Sequence, residues 1–316
     1  MNKAVCWCLF VILTFSRVSA GEPVRFVSVT IDDLPVVTRQ KTEKARRSIT
    51  NRLLRHIGRS GAPVTGFVNE RKLFRDDGER DSEQIGYLRL WLENGCDLGN
   101  HTYSHLSLHD SDFASYSTEI LKGEIVTKEL LKEYGKKMTY FRHPYLATGL
   151  DLETKKQVAD FLTENRYTIA PVSIDTSDWA FSAAYDLTLI KGDKKLLDSI
   201  GRAYVPYIEA KTEYWERQSI RLFGREIRQI LLLHANSINA EYFDDVVRMF
   251  KKRGYKFISL NSALEDKAYR NPDTFTKRAG ISWLHRWALD LGAEYLVPNE
   301  PRVPQFVMDA ADLKSE

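Results

Sequence analysis

Val27-Ser28-Val29-Thr30-Ile31-Asp32-Asp33-Leu34-Pro35 is an apolar, β-branched run that stops at two adjacent carboxylates and a proline. Runs of this composition form buried strands, so the stretch predicts a strand that delivers Asp32 and Asp33 at its C-terminal end. Neighbouring side chains on an extended backbone point in different directions. The two carboxylates are therefore suited to separate tasks, one on a metal ion and the other moving a proton. An Asp-Asp pair is equally at home in a turn or a helix cap, and only the surrounding motifs decide between these readings.

The first of those motifs is Gly99-Asn100-His101-Thr102-Tyr103-Ser104-His105, in which two histidines four residues apart occupy a turn-rich, polar setting. Both imidazoles can address one ion. Two histidines and one carboxylate, with positions left open for water, are a recurrent set for catalytic zinc, and iron, cobalt or nickel use the same ligands. Asp33, His101 and His105 would supply it.

The chain has 316 residues, 43% of them hydrophobic, enough for a sizeable core within one α/β barrel carrying insertions. Met1 to Ala20 has Lys3, an apolar stretch from Ala4 to Phe15 and Val18-Ser19-Ala20 as a small-residue cleavage site. This is the pattern of a secretory signal peptide, too short for a lasting membrane span, and it predicts a secreted or periplasmic protein. Cys6 and Cys8 would leave with it, with no lipid anchor expected, and Cys96 alone would remain, which rules out an internal disulfide. Removing Lys3 and Arg17 leaves 44 basic against 43 acidic residues. Such a balance offers nothing to nucleic acid or to anionic lipid.

Apolar runs then alternate with segments of helical period. Ala45, Ile49, Leu53 and Ile57 predict a helix ending at Gly58, and Val64 to Val68 the next strand. Ile85, Leu88 and Leu92 predict a helix closing at Asn94-Gly95, and Cys96 to Leu98 a strand feeding the histidine loop. Phe113 to Tyr134 reads as one helix and Met138 to Phe141 as a short strand delivering Arg142. Leu152 to Asn165 reads as a helix and Thr168 to Ile174 as a strand ending at Asp175. Gln229 to Leu233 is a strand delivering His234, Phe243 to Arg253 a helix, and Tyr255 to Leu260 the last strand. This alternation is α/β with parallel strands, and the motifs fall at strand ends, where such barrels collect their active sites.

Residues 180–228 and the tail from Asn271 stand outside the alternation. Leu197, Ile200, Tyr204 and Ile208 predict helix in the first despite Pro206. Its aromatics Tyr204, Tyr207, Tyr214 and Trp215 suit either an interhelical core, the favoured reading, or sugar stacking near the mouth of a site. In the tail, Ile281 to Trp287 is an apolar helix that would pack on the barrel, with His285 structural.

Five ordered motifs give the chain its resemblance to the polysaccharide deacetylases of carbohydrate esterase family 4. Thr30-Ile31-Asp32-Asp33-Leu34 answers the family's TFDDG with its glycine replaced. His101-Thr102-Tyr103-Ser104-His105 answers H-[ST]-x-x-H, Arg142-His143-Pro144-Tyr145 answers R-x-P-[YF], Asp175-Thr176-Ser177-Asp178-Trp179 answers D-x-x-D-W, and Leu232-Leu233-His234 answers L-x-H. The resemblance implies a distorted (β/α)7 barrel over residues 21–270, with a helical insertion at about 180–228 and a C-terminal extension over 271–316.

The resemblance also implies roles. Asp33, His101 and His105 would bind one divalent metal, zinc before cobalt, nickel or iron. Asp32 would be the catalytic base with Arg142 paired to it, and His234 the catalytic acid held by Asp175. The Tyr145 backbone would receive the oxyanion, and Trp179 would wall the acetyl group. His56, His109 and His143 match no catalytic role and read as surface or supporting residues. Leu34-Pro35 departs from the family glycine, which stiffens the backbone beside the metal ligands and brings substrate fit into question.

The implied activity is metal-dependent removal of N-acetyl groups from a glycan such as peptidoglycan or a chitin-like oligomer. The same machinery would serve an O-acetyl ester, as on xylan, or another amide. The reading from a different class is a glycan-binding protein without catalysis, and a full set of base, acid and metal ligands argues against it. The sequence does not specify an oligomeric state.

Overall fold

The computed structural model describes residues 24–315; the predicted signal peptide lies outside them. Strand β1 (Arg25–Leu34) is the centre of the sheet. With β2 (Val64–Val68), β3 (Asp97–Asn100), β4 (Tyr140–Phe141), β5 (Thr168–Ile169), β6 (Ile174–Asp175) and β7 (Gln229–His234) it runs in the order β5-β4-β3-β2-β1-β7-β6, while β8 (Tyr255–Phe257) pairs with the start of β1. All these pairings are parallel. The result is the distorted (β/α)7 barrel that the resemblance implies, with β1 as buried as its apolar run requires.

Helices α1 (Glu43–Ser60), α2 (Ser82–Glu93), α3 (Phe113–Lys122), α4 (Ile125–Glu133) and α5 (Leu152–Glu164) cross over between successive strands of the first half. Helix α1 passes the expected stop at Gly58 and ends at Gly61, whose φ of 67° makes it the left-handed C-cap. The single helix expected from Phe113 to Tyr134 is broken in two. At Gly123 a Cβ would lie 2.6 Å from the Thr102 carbonyl carbon and 2.8 Å from the Tyr103 nitrogen. The break lets the helical layer press directly on the histidine loop, and buried Glu70 caps the new start by accepting from the Val126 and Thr127 backbone N–H groups.

The strand expected over Thr168 to Ile174 is also divided, because the chain changes sheet edge within it. Ala170 N–H donates to Phe141 on β4 at 2.8 Å, whereas Ser173 N–H donates to Ile230 on β7 at 3.1 Å. No straight strand can serve both edges.

The interval after β6 holds α6 (Asp178–Lys191) and the 30-residue α7 (Lys194–Phe223), which carries Pro206 within it. Tyr204, Tyr207, Tyr214 and Trp215 are all buried, which settles them as core and excludes sugar stacking. Tyr204 donates to Asn239 on α8 (Ser237–Lys252), and Tyr214 sits against His285 at 2.7 Å. After the short α9 (Leu260–Leu264), residues from Asn271 onward lead to α10 (Trp283–Asp290), packed on α7, and α11 (Gln305–Ala311), packed on α6.

Candidate active site

Parallel register sets the first relation in the site. Asp32 on β1 is the direct partner of His234 on β7, and Asn100, which precedes His101, pairs with Phe141, which precedes Arg142. All five motifs therefore open at one end of the barrel.

The two aspartates do not diverge as ideal strand geometry predicts. The β1–β2 register shifts between Ile31 and Leu34, and Asp33 has φ 67°. This bulge turns both carboxylates to one side, a common use of bulges beside functional sites. Asp32 Oδ2 and Asp33 Oδ1 lie 3.7 and 3.8 Å from the same His101 Nε2. Leu34 is fully buried and takes the space over Gly66, where a Cβ would lie 2.4 Å from Leu34 Cδ2. The bulk that replaces the family glycine thus goes into the core, away from the cleft.

Asp33, His101 and His105 present one donor atom each within 4.8 Å of one another. Asp33 Oδ1 is 3.5 Å from His105 Nε2, and it is a buried oxygen with no hydrogen-bond partner. The His101 Nδ1–H donates to the Arg142 carbonyl at 2.8 Å, which fixes the tautomer and leaves Nε2 as the free lone pair facing Asp33. Burial holds both imidazoles below their usual pKa, His101 well below, so they are neutral ligands. Burial alone would raise Asp33, but the charges of Lys72 and His234 outweigh it and keep the carboxylate ionised. An unpaired anionic oxygen opposed by two neutral imidazole nitrogens fits a divalent cation.

Lys72, which the sequence reading passed over, reaches into this corner and donates from Nζ to the Asp33 carbonyl at 2.7 Å, holding the left-handed turn. Asn69 does the same for the histidine loop, donating from Nδ2 to the His101 carbonyl at 2.8 Å.

Asp32 is 2% exposed, and burial pushes its carboxyl up to about 6, against the pull of Arg142. The guanidinium lies with Nη1 3.6 Å from Asp32 Oδ2, donates from Nη2 to Thr30 Oγ1 at 2.9 Å, and rests on the Phe67 ring at 4.8 Å.

His234 is held by Asp178, and this corrects the expected role of Asp175. Asp178 Oδ1 lies 2.7 Å from His234 Nδ1, and its Oδ2 accepts from the His234 backbone N–H, Asn236 and Asn239. Asp175 instead accepts from the Ser177 N–H at 3.1 Å, turning the chain into α6. The physical reason is position: Asp178 is the first residue of α6, so its side chain reaches back over the end of β7. Burial alone would lower His234, yet the Asp178 carboxylate lifts it to about 10.

Trp179, 39% exposed, shares a cleft of about 220 Å³ with Asp33 and His234. Tyr145 has φ 56°, and its ring stands 4.3 Å from that of His105. Hydrogen bonds of its turn run from Leu146 N–H to His143 and from Ala147 N–H to Pro144, which leaves the Tyr145 N–H outside them. His143 is buried against Tyr116 and His56 pairs with Asp244.

Residues 20–163 match the family model described as polysaccharide deacetylase, a span that takes in the first three motifs. No curated protein matches the chain. Among solved structures, a mutant of BA3943, a CE4 family pseudoenzyme of Bacillus anthracis, is 16% identical with a TM-score of 0.51, covering 76% of this chain and 67% of the other. A family 4 acetyl xylan esterase from Clostridium thermocellum in complex with a cobalt ion is 18% identical with a TM-score of 0.50, covering 76% and 91%. At these identities the likeness is one of fold.

Proposed function

We propose, from the resemblance to the polysaccharide deacetylases of carbohydrate esterase family 4 that the family match and the fold support, that this chain hydrolyses N-acetyl groups on a glycan outside the cytoplasm. The observation that carries the proposal is the pairing of Asp32 with His234 across β1 and β7, with the Asp33, His101 and His105 donors beside them. One face holds a base, the other an acid.

Asp33, His101 and His105 would hold a divalent ion, zinc before cobalt, nickel or iron. Such an ion, when bound, supplies carbonyl polarisation and a more acidic water. Asp32, ionised above about 6, takes the proton of the attacking water. Arg142 keeps that carboxylate charged and fixed in direction. The Tyr145 N–H is the backbone donor offered to the oxyanion. His234, charged up to about 10 through Asp178, gives its proton to the leaving nitrogen as the C–N bond breaks.

That last property favours the amide over an O-acetyl ester, because an amine leaves only when protonated, whereas an alkoxide needs less help. The glycan-binding reading without catalysis has no use for the Asp178–His234 pair.

Acetate release by the metal-loaded chain from N-acetylglucosamine oligomers, peptidoglycan fragments and acetylated xylan tests the proposal, with Asp32→Asn beside the wild type. Release from an N-acetylated substrate, abolished in the variant, is expected. Release from xylan alone would make the chain an esterase, silence with metal bound would point to another amide as substrate, and silence with no metal bound would leave the binding-protein reading.

A further inference from the structure

We infer that the C-terminal extension builds one wall of a neutral-sugar subsite next to the reacting acetamido group, so that the substrate is an oligomer gripped beyond its acetylated ring. The inference rests on the proposed deacetylase reading. A cleft of about 500 Å³, whose lining does not include His234, adjoins the site and shares His105 and Tyr145 with it. Its near wall is the loop from Ser104 to Asp110, and its far wall is Arg278, Ala279 and Gly280 of the extension.

The far wall is fixed in place. A Cβ on Gly280 would lie 1.9 Å from the Tyr145 carbonyl oxygen, so the extension's backbone bears directly on the turn that carries Tyr145. Arg286, fully buried, donates to the Leu146 carbonyl, to Thr148 Oγ1 at 2.7 Å and to Asp273 Oδ2 at 2.9 Å. Trp283 N–H donates to the Val172 carbonyl at 2.8 Å. These bonds tie residues 273–286 to the barrel mouth as a rigid segment.

The lining specifies the ligand. Arg278 Nη1 lies 2.5 Å from Asp110 Oδ1, and Nη2 donates to the His109 carbonyl at 2.7 Å. The two charged side chains are still 61% and 62% exposed, so they bridge the cleft while keeping donor and acceptor atoms free. A neutralised pair of this kind suits adjacent hydroxyl groups, one accepting from guanidinium and one donating to carboxylate, and its balance offers no net attraction to an acidic sugar. The Tyr145 ring, 63% exposed beside it, offers the apolar face that a pyranose needs.

The test is calorimetric titration of the full-length Asp32→Asn protein with the dimer and the tetramer of N-acetylglucosamine, repeated with Arg278→Ala and Arg278→Lys added. The tetramer should bind about tenfold tighter than the dimer, and Arg278→Ala should reduce that ratio towards one, with Arg278→Lys between them. Equal affinity for both oligomers, a ratio unchanged by Arg278→Ala, or binding of neither oligomer would each overturn the subsite. Acetate release by the wild type from the dimer is scored separately, so a failed subsite and a failed deacetylase reading give different results.

Discussion

Asp178 grips His234 twice, with Oδ1 2.7 Å from the imidazole Nδ1 and Oδ2 2.9 Å from the backbone nitrogen. The imidazolium is thereby stabilised up to about 10, so the acid keeps its proton throughout the neutral range and loses it as pH rises through that value. In Asp178→Asn the largest support of the charged ring is lost, and burial, which favours the neutral ring, is opposed only by the weaker pull of Asp33 and Asp32. The alkaline limb of kcat/KM should fall by several pH units, with a loss of about 10²–10⁴ in kcat at neutral pH. Asp175→Asn should leave that limb where it is. NMR titration of the His234 ring checks both variants without any substrate.

Arg142 acts on the opposite limb. Asp32 is held near 6 by burial working against the guanidinium, and the proposed base is its ionised form, so activity should rise with pH through this value. Removing the cation in Arg142→Met raises the Asp32 pKa and moves the acid limb to higher pH. A pH–rate profile whose acid limb stays put in that variant would contradict the pairing.

Metal binding should follow the three donors. Replacing Asp33, His101 or His105 by alanine removes one ligand of the set within 4.8 Å and should weaken zinc binding at least about 100-fold, read by competition with a chelating dye. Wild-type protein should bind one equivalent and gain about 2.7 kcal/mol of stability at a metal concentration 100 times Kd. Lys72→Met, which frees the Asp33 carbonyl, should leave stoichiometry at one while loosening the turn at Asp33.

Two variants probe the supports. Gly123→Ala drives a methyl group to 2.6 Å from the Thr102 carbonyl carbon and should cost about 1–3 kcal/mol in denaturant unfolding. Arg286→Leu leaves Asp273 with Lys155 as its remaining cation, frees the Leu146 carbonyl, and should cost about 3–5 kcal/mol.

The strand that delivers Asp32 and Asp33, the histidine loop and the order of the motifs were legible because each depends on local chemistry. An apolar β-branched run makes a buried strand wherever it falls, and ligand types at fixed spacing announce themselves. The partner of His234 was not legible in that way. Asp175 and Asp178 are both aspartates of one motif, and only the turn between β6 and α6 decides which of them reaches β7. The aromatics of α7 were equally ambiguous until burial against α6, α8 and the tail settled them.

By itself, then, the sequence determined the α/β class, the strand ends at which chemistry collects and the residue types available there, since these follow from periodicity and from short-range spacing. Tertiary structure alone decided what faces what: the bulge that turns Asp33 beside Asp32, the register that sets Asp32 against His234, the break at Gly123 and the extension lying on the Tyr145 turn. Those relations join residues far apart along the chain, and they are fixed by the packing of strands and helices around one core, which no local pattern encodes.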